Sequence, residues 1–484
     1  MYLGLDLGTS GVKALLIDAD QKVIGSGHGA LDAKRPHPGW SEQDPADWIR
    51  ATEQAIVELK ATHPRELAAV SGIGLSGQMH GATLLDASGN VLRPCILWND
   101  TRSHIEAATL DADPRFRRIT GNIVFPGFTA PKLAWVKANE PAVFARVAKV
   151  LLPKDYLRLW LTGEYISEMS DAAGTAWLDV AGRRWASELL AATDLDERHM
   201  PQLVEGTERA GQLRGELAAK WGMEQGIVIA GGAGDNAASA AGMGTVRPGA
   251  AFVSLGTSGV LFAANGAYLP NPESAVHTFC HALPNTWHQM GVILSATDSL
   301  NWLSNITGRD AALLTGELGD ELRAPSSVSF QPYLSGERTP HNDAAIRGSF
   351  TGLGHEAGRV ELTQAVLEGV AFAFRDSLEA LAKAGTRLER VTAIGGGSRS
   401  RYWLKAIATA LCVPVDIPAA GDFGAAFGAA RLGLIAAEGA DPFAICTPPS
   451  TADTVEPVAD LAAAYSQAYA RHCALYPAIE GVSS

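Results

Sequence analysis

What this chain lacks removes several classes of protein at once. Its five cysteines (Cys95, Cys280, Cys412, Cys446 and Cys473) are odd in number, widely spaced and form no CxxC pair. That argues against a disulfide scaffold and a structural zinc site, and for a reducing compartment, the cytoplasm. Basic residues are too few for a nucleic-acid surface: 39 Lys and Arg stand against 52 Asp and Glu, a formal charge of −13. No apolar run reaches the length of a membrane span without Gly, Ser or Thr interrupting it. The first residues read as a strand containing Asp6, not as a charged-then-apolar leader. GxxxxGK[ST], HExxH and GxSxG are all missing, so P-loop, zincin and α/β-hydrolase readings lack their key residues.

Glycine, by contrast, is in excess. The 51 glycines are about a tenth of the 484 residues, above the usual share of about 7%. They cluster in short runs, as backbone-lined ligand loops require. The length predicts two to four globular domains.

The most informative of these runs occurs twice. LGTSGV stands at residues 7–12 and again at 255–260. An apolar strand-like run enters each copy (Tyr2 to Leu7; Ala251 to Leu255) and another leaves it (Val12 to Ile17; Val260 to Ala264). Two such units about half a chain apart predict a duplicated domain and two loops facing one ligand. Gly8, Thr9 and Ser10, and their copies Gly256, Thr257 and Ser258, offer N–H groups and hydroxyls suited to a phosphate. A pair of similar hairpin turns is the plainer alternative. The copies differ in charge: Asp6 precedes and Lys13 follows the first, Ser254 and Leu261 the second. A carboxylate beside a phosphate turn suits Mg²⁺, with Lys13 facing the transferring phosphate. Alternatively Asp6 caps a turn and Lys13 is a solvated strand residue.

Around these units the pattern predicts strands at Leu3–Leu7, Val12–Asp18 and Val23–His28. A helix is expected near 45–61, capped by Asp44, and a strand at Val70–Leu75 running into SGQMHG. TLLDASGNVL has hairpin chemistry. Residues of about 95–230 read as an insertion supplying substrate contacts, and the core resumes at Ile227–Ala230. A long helix near 360–382, a strand at Val391–Ile394 and a close-packed small-residue helix in GDFGAAFGAA follow. Ser483 and Ser484 are expected to fray.

Two runs imitate a dinucleotide fingerprint. GIGLSG at 72–77 lacks the following helix. GAGDNA at 232–237 has the strand–turn–helix order, but Asp235 would repel a pyrophosphate there. The same placement suits a base accepting a proton from a hydroxyl, or a plain N-cap. GGGSRS at 395–400 permits close approach of a ring or phosphate. His277 and His281 share a face, with a structural role favoured over a metal site.

Taken together, these motifs resemble the nucleotide-binding elements of the actin-like, sugar-kinase and heat-shock ATPase superfamily. More narrowly, GFTAPKLAWV at 127–136 and GSFTGLGHEAGRVELTQAVLE at 348–368 are similar to the two signature regions of the FGGY carbohydrate kinases. The resemblance runs from Met1 to about Gly433. Within that family RPHPGWSEQDP, SGQMHGATLLD, ILWNDTR, LLPKDYLRLWLTGE, SDAAGT and PYLSGERTPH resemble the xylulokinase branch. The resemblance implies an α/β fold of two ribonuclease-H-like domains, of the actin and hexokinase ATPase type, flanking a deep cleft. It implies a sugar-binding domain at 1–244 and a nucleotide-binding domain at 245–484. ATP, Mg²⁺ and D-xylulose would be the ligands, ADP and D-xylulose 5-phosphate the products, and a homodimer a candidate assembly. Carried over, Asp235 corresponds to the catalytic base and Asp6 to the carboxylate near the metal. Met79, His80, Asn236, Asn99 and Arg102 correspond to sugar-side positions. Gly8, Thr9, Ser10, Lys13, Gly256, Thr257 and Ser258 correspond to phosphate contacts, and Gly396 and Gly397 to the adenosine side. Open alternatives are a ribulose, gluconate or glycerol kinase, an actin- or chaperone-like ATPase without a sugar, and a dinucleotide oxidoreductase.

Overall fold

Leucines at every second position of the first strand point one way and bury against a helix. This is strand β1 (Tyr2–Leu7), whose Leu3, Leu5 and Leu7 share a core with Trp48, Ala55, Ile56 and Leu59 of helix α1 (Pro45–Thr62). Asp44 caps that helix by accepting from the Ala46 N–H at 3.0 Å, and Pro45 opens it, as expected. The computed structural model describes residues 1–419, 421 and 423–481; Asp422 of the GDFG run and the terminal Ser483 and Ser484 lie outside the described residues.

In the first half, β1, β2 (Gly11–Ile17) and β3 (Val23–Ala30) form an antiparallel meander. Strand β4 (Gly72–Gly77) adds in parallel to β1. After helices α2 (Thr129–Asn139) and α3 (Pro153–Thr162), the chain returns as β5 (Arg209–Gln212), β6 (Val228–Ala230) and β7 (Ala233–Gly234). The order is β5-β6-β4-β1-β2-β3, with β7 also on β4. The edge strand β5 comes from inside the stretch 95–230. Helix α4 (Asp235–Met243) closes this half.

The second half repeats the plan with β8 (Ala251–Leu255), β9 (Gly259–Asn265), β10 (His277–Cys280) and β11 (Trp287–Ile293). Helices α5 (Thr297–Thr307) and α6 (Arg359–Lys383) lead to β12 (Val391–Ile394) and β13 (Val415–Pro418). Helix α7 (Ala425–Glu438), β14 (Thr451–Val455) and helix α8 (Ala462–Glu480) complete it. The order is β10-β11-β9-β8-β12-β13-β14. Both sheets thus hold a hairpin, a third antiparallel strand, two parallel strands and an antiparallel edge. The α/β class and the duplication are as expected.

The two hairpins are not identical, although their sequences are. In the first, Leu7 pairs with Val12; in the second, Leu255 pairs with Gly259, one residue short of the equivalent partner. The expectation of the same loop offered twice is therefore corrected: the first loop has four residues and the second three. Bracing from elsewhere separates them. The first turn is held by Gln78 N–H to Leu7 O (2.8 Å) and Gln43 Nε2 to Thr9 O (2.7 Å). The second rests on the start of α5, where Ala296 N–H meets Thr257 O (2.8 Å) and Thr297 N–H meets Gly256 O (2.9 Å).

Helix α7 follows residue 245 in sequence yet packs on the face of the first sheet, where it buries Ala426, Phe427, Ala430 and Leu434 with Tyr2, Leu15 and Ile17. Glycine is required here by close approach. A Cβ on Gly74 would overlap Ala429 O, and one on Gly428 would overlap Ala238 O of α4. The small-residue helix predicted in GDFGAAFGAA is this one, starting at Ala425. Helices α4 and α7 thus pack closely against each other. The inserted segment forms a core of its own, including Phe128, Leu133, Trp177 and Leu189, which also takes in Phe252, Phe262 and Phe279 of the second sheet.

Candidate active site

Three parallel strands deliver the candidate residues to one edge. Asp6 and Leu7 of β1 lie beside Ser76 and Gly77 of β4, and Gly77 lies beside Gly234 of β7. Asp6 and the start of α4 therefore stand at the carboxyl ends of these strands, where ligands of α/β sheets bind. Asp6 is also directly across the hairpin from Lys13.

Asp235 is the first residue of α4, not its cap. Gly234 occupies the cap position and offers no side chain to it. The Asp235 carboxylate instead accepts from the Asn236 N–H (2.7 Å) and side-chain amide (2.9 Å). Burial, and then the neighbouring Asp6 charge, push its pKa up to about 6, against the pull of the Asn236 bonds. A carboxylate so placed is ionised at neutral pH yet basic enough to take a proton.

Beside it lies the turn after β4. A Cβ on Gly234 would meet Met79 Sδ at 2.9 Å, so Met79 packs against the residue that precedes Asp235. His80 adopts φ +68°, a left-handed conformation rare outside glycine. Its Nδ1 lies 2.7 Å from Gly174 O of the SDAAGT run, and its ring stacks on Phe128 at 4.8 Å. Burial drives its pKa down to about 3, so this imidazole is neutral. Thr129 and Lys132 of α2 both donate to its carbonyl, at 3.1 and 2.9 Å.

The structure thus brings Asp6, Asp235, Asn236, Met79 and His80 together. It places the other two sugar-side candidates differently. Arg102 is buried in ion pairs with Asp100 (2.7 Å) and Glu42 (2.8 Å), its guanidinium 3.6 Å over the Trp40 ring. Asn99 borders a cavity of about 420 Å³ lined by residues 35–41.

The adenosine-side candidates Gly396 and Gly397 follow β12 and line a cavity of about 550 Å³ with Thr297, Asn301, Ala312 and Ser400. Thr297 donates to Gly256 O from both its N–H and its hydroxyl (2.8 Å), which links that cavity to the second hairpin. A further cavity of about 690 Å³ lies across the same turn, between Ser239 and Met243 of α4 and Ile394 and Gly395. In the first hairpin Thr9 bonds Gln78 Oε1 (3.1 Å), and Ser10 is exposed.

Two residues at this site escaped the sequence reading. Trp98 is 47% exposed, and its indole N–H donates to Thr9 Oγ1 at 3.0 Å. Only its place inside WNDTR hinted at it. Lys132 lies on the face of α2 shared by Thr129, Leu133 and Val136, and only its place inside GFTAPKLAWV hinted at it. His277 and His281 are buried. His277 Nε2 lies 3.3 Å from Arg338, and His281 Nε2 3.1 Å from Thr245 O. Among the described residues no cluster of three or more His, Cys, Asp or Glu could hold a metal ion.

Known proteins match this chain over nearly its full length. The FGGY family of carbohydrate kinases matches in both of its domains, the N-terminal one over residues 1–242 and the C-terminal one over 251–437. The xylulose kinase of Escherichia coli (strain K12) is 52% identical over 441 residues, 90% of each chain. A crystal structure of a xyloylose kinase from Brucella ovis superposes with a TM-score of 0.98 at 72% identity, covering 99% of both chains. The xylulose kinase of Rhodospirillum rubrum follows with a TM-score of 0.92 at 29% identity, covering 100% of this chain and 99% of that one. This chain belongs to the FGGY family of carbohydrate kinases and is an ATP-dependent carbohydrate kinase.

Proposed function

We propose that the enzyme phosphorylates D-xylulose to D-xylulose 5-phosphate. The observation that carries the chemistry is Asp235, set at the carboxyl ends of the parallel strands under the influence of Asp6. The choice of sugar rests on the relatives, which are named as xylulose kinases at 52% and 29% identity. In this reading residues 1–244 hold the sugar and 245–484 the nucleotide.

The terminal hydroxyl of the sugar attacks the γ-phosphorus in line. Its proton passes to the Asp235 carboxylate, the new O–P bond forms, and the β,γ-bridging bond breaks to release ADP. Met79, His80 and Asn236 orient the sugar. The N–H groups of Gly8, Thr9 and Ser10, with Lys13, face the transferring phosphate. Gly256, Thr257 and Ser258 hold the other phosphates, and Gly396 and Gly397 the adenosine. Asp6 fits a Mg²⁺ site, because this ion takes one or two carboxylates and completes its shell with phosphate and water. When bound, the ion supplies positive charge to the phosphoryl oxygens. Five unpaired cysteines, three of them buried, agree with a cytoplasmic enzyme.

Replacing Asp235 with Ala tests the role of the base. The variant is expected to bind D-xylulose and ATP while losing nearly all turnover. Turnover at the wild-type rate would remove Asp235 from the role.

A further inference from the structure

We propose that Lys132 is a positioning residue for the sugar: by holding the His80 carbonyl, it fixes the left-handed turn that presents Met79 and His80. This rests on the reading of that turn as the sugar side.

Lys132 is fully buried. Buried lysines are normally paired, as Lys154 is with Asp155, Glu168 and Asp171. Among the described residues no carboxylate lies within ion-pair distance of Lys132. Its ammonium instead donates to two backbone carbonyls, His80 O and Gly127 O. The first belongs to a non-glycine residue at φ +68°, and the second to the loop that carries Phe128, on which the His80 ring stacks. Thr129 Oγ1 gives His80 O a second donor. One turn of α2 thus grips the β4 turn by its carbonyl, while the Gly174 carbonyl and the Phe128 ring hold its imidazole. Burial lowers the Lys132 pKa to about 7. Even the neutral amine keeps two N–H donors for two carbonyls. A lysine that only filled space here would do so at a large desolvation cost that a methionine avoids.

The test compares calorimetric titrations of D-xylulose and of ADP in Lys132→Met, Thr129→Val and His80→Ala. Loss of a charged donor should weaken D-xylulose binding about 10- to 100-fold in Lys132→Met, and loss of a neutral one about 3- to 10-fold in Thr129→Val. ADP binding should be unchanged in both. A Lys132→Met protein that melts cooperatively, binds ADP and keeps the wild-type D-xylulose affinity overturns the proposal. If Lys132→Met does not fold, Thr129→Val decides: an unchanged D-xylulose affinity overturns the proposal, and a sugar-specific loss supports it. His80→Ala separates the two readings. Unchanged sugar affinity there refutes the sugar-side assignment of the turn itself.

Discussion

At Asp235 the neighbours decide the protonation state. Burial and Asp6 favour the acid, the Asn236 bonds favour the carboxylate, and the balance leaves a pKa of about 6. A raised pKa means that the proposed base gains its proton, and would lose its function, as pH falls through that value. The expected kcat/KM profile therefore drops below about pH 6 with a slope of one proton. A profile flat to pH 5 would contradict the assignment. Asp235→Asn keeps the shape and removes the basicity, so kcat should fall about 10²- to 10⁴-fold while both substrates still bind. Asp235 was legible as a candidate because glycines wall it and a helix follows, and the family resemblance favoured the base over a plain cap. Lys132 and Trp98 were not. Their importance depends on contacts with residues about fifty to ninety positions away, His80 and Thr9, that no local pattern encodes.

At the scale of the element, the two LGTSG turns show where local sequence stops deciding structure. Both copies form hairpins, and the flanking strands fall within a residue or two of where alternation puts them. The register differs by one residue, and the bracing differs as well, Gln43 and Gln78 in one case and the start of α5 in the other. The close packing of α7 was legible in outline, since a run of Gly and Ala reads as close packing. The partner was not. At Gly428 a methyl group has no room against Ala238 O, a backbone atom that cannot swing away. Gly428→Ala should therefore lower stability by about 1–3 kcal/mol or more, visible as a reduced Tm. The same change at Gly439, where a Cβ meets nothing and φ is +65°, should cost only backbone strain.

For the whole molecule, duplication explains the architecture, and its breaking supports the proposed division of labour. Two sheets share one plan, and α7 from the second half packs on the first. Asp6 and Lys13 exist only in the first copy, and the 550 Å³ cavity at Gly396 and Gly397 lies in the second. In the proposed reading, phosphoryl transfer between the halves needs them to close and exclude water. Small-angle scattering should thus give a smaller radius of gyration with D-xylulose and ADP together than with neither, and an unchanged radius would count against closure. The central claim is a sugar-dependent kinase whose substrate is D-xylulose, and the most direct measurement is initial-rate ADP release with D-xylulose, D-ribulose, D-gluconate, glycerol and no sugar. D-xylulose should give the highest kcat/KM, with little ADP released when sugar is omitted. Another substrate ranking first, or ADP release independent of sugar, would contradict it.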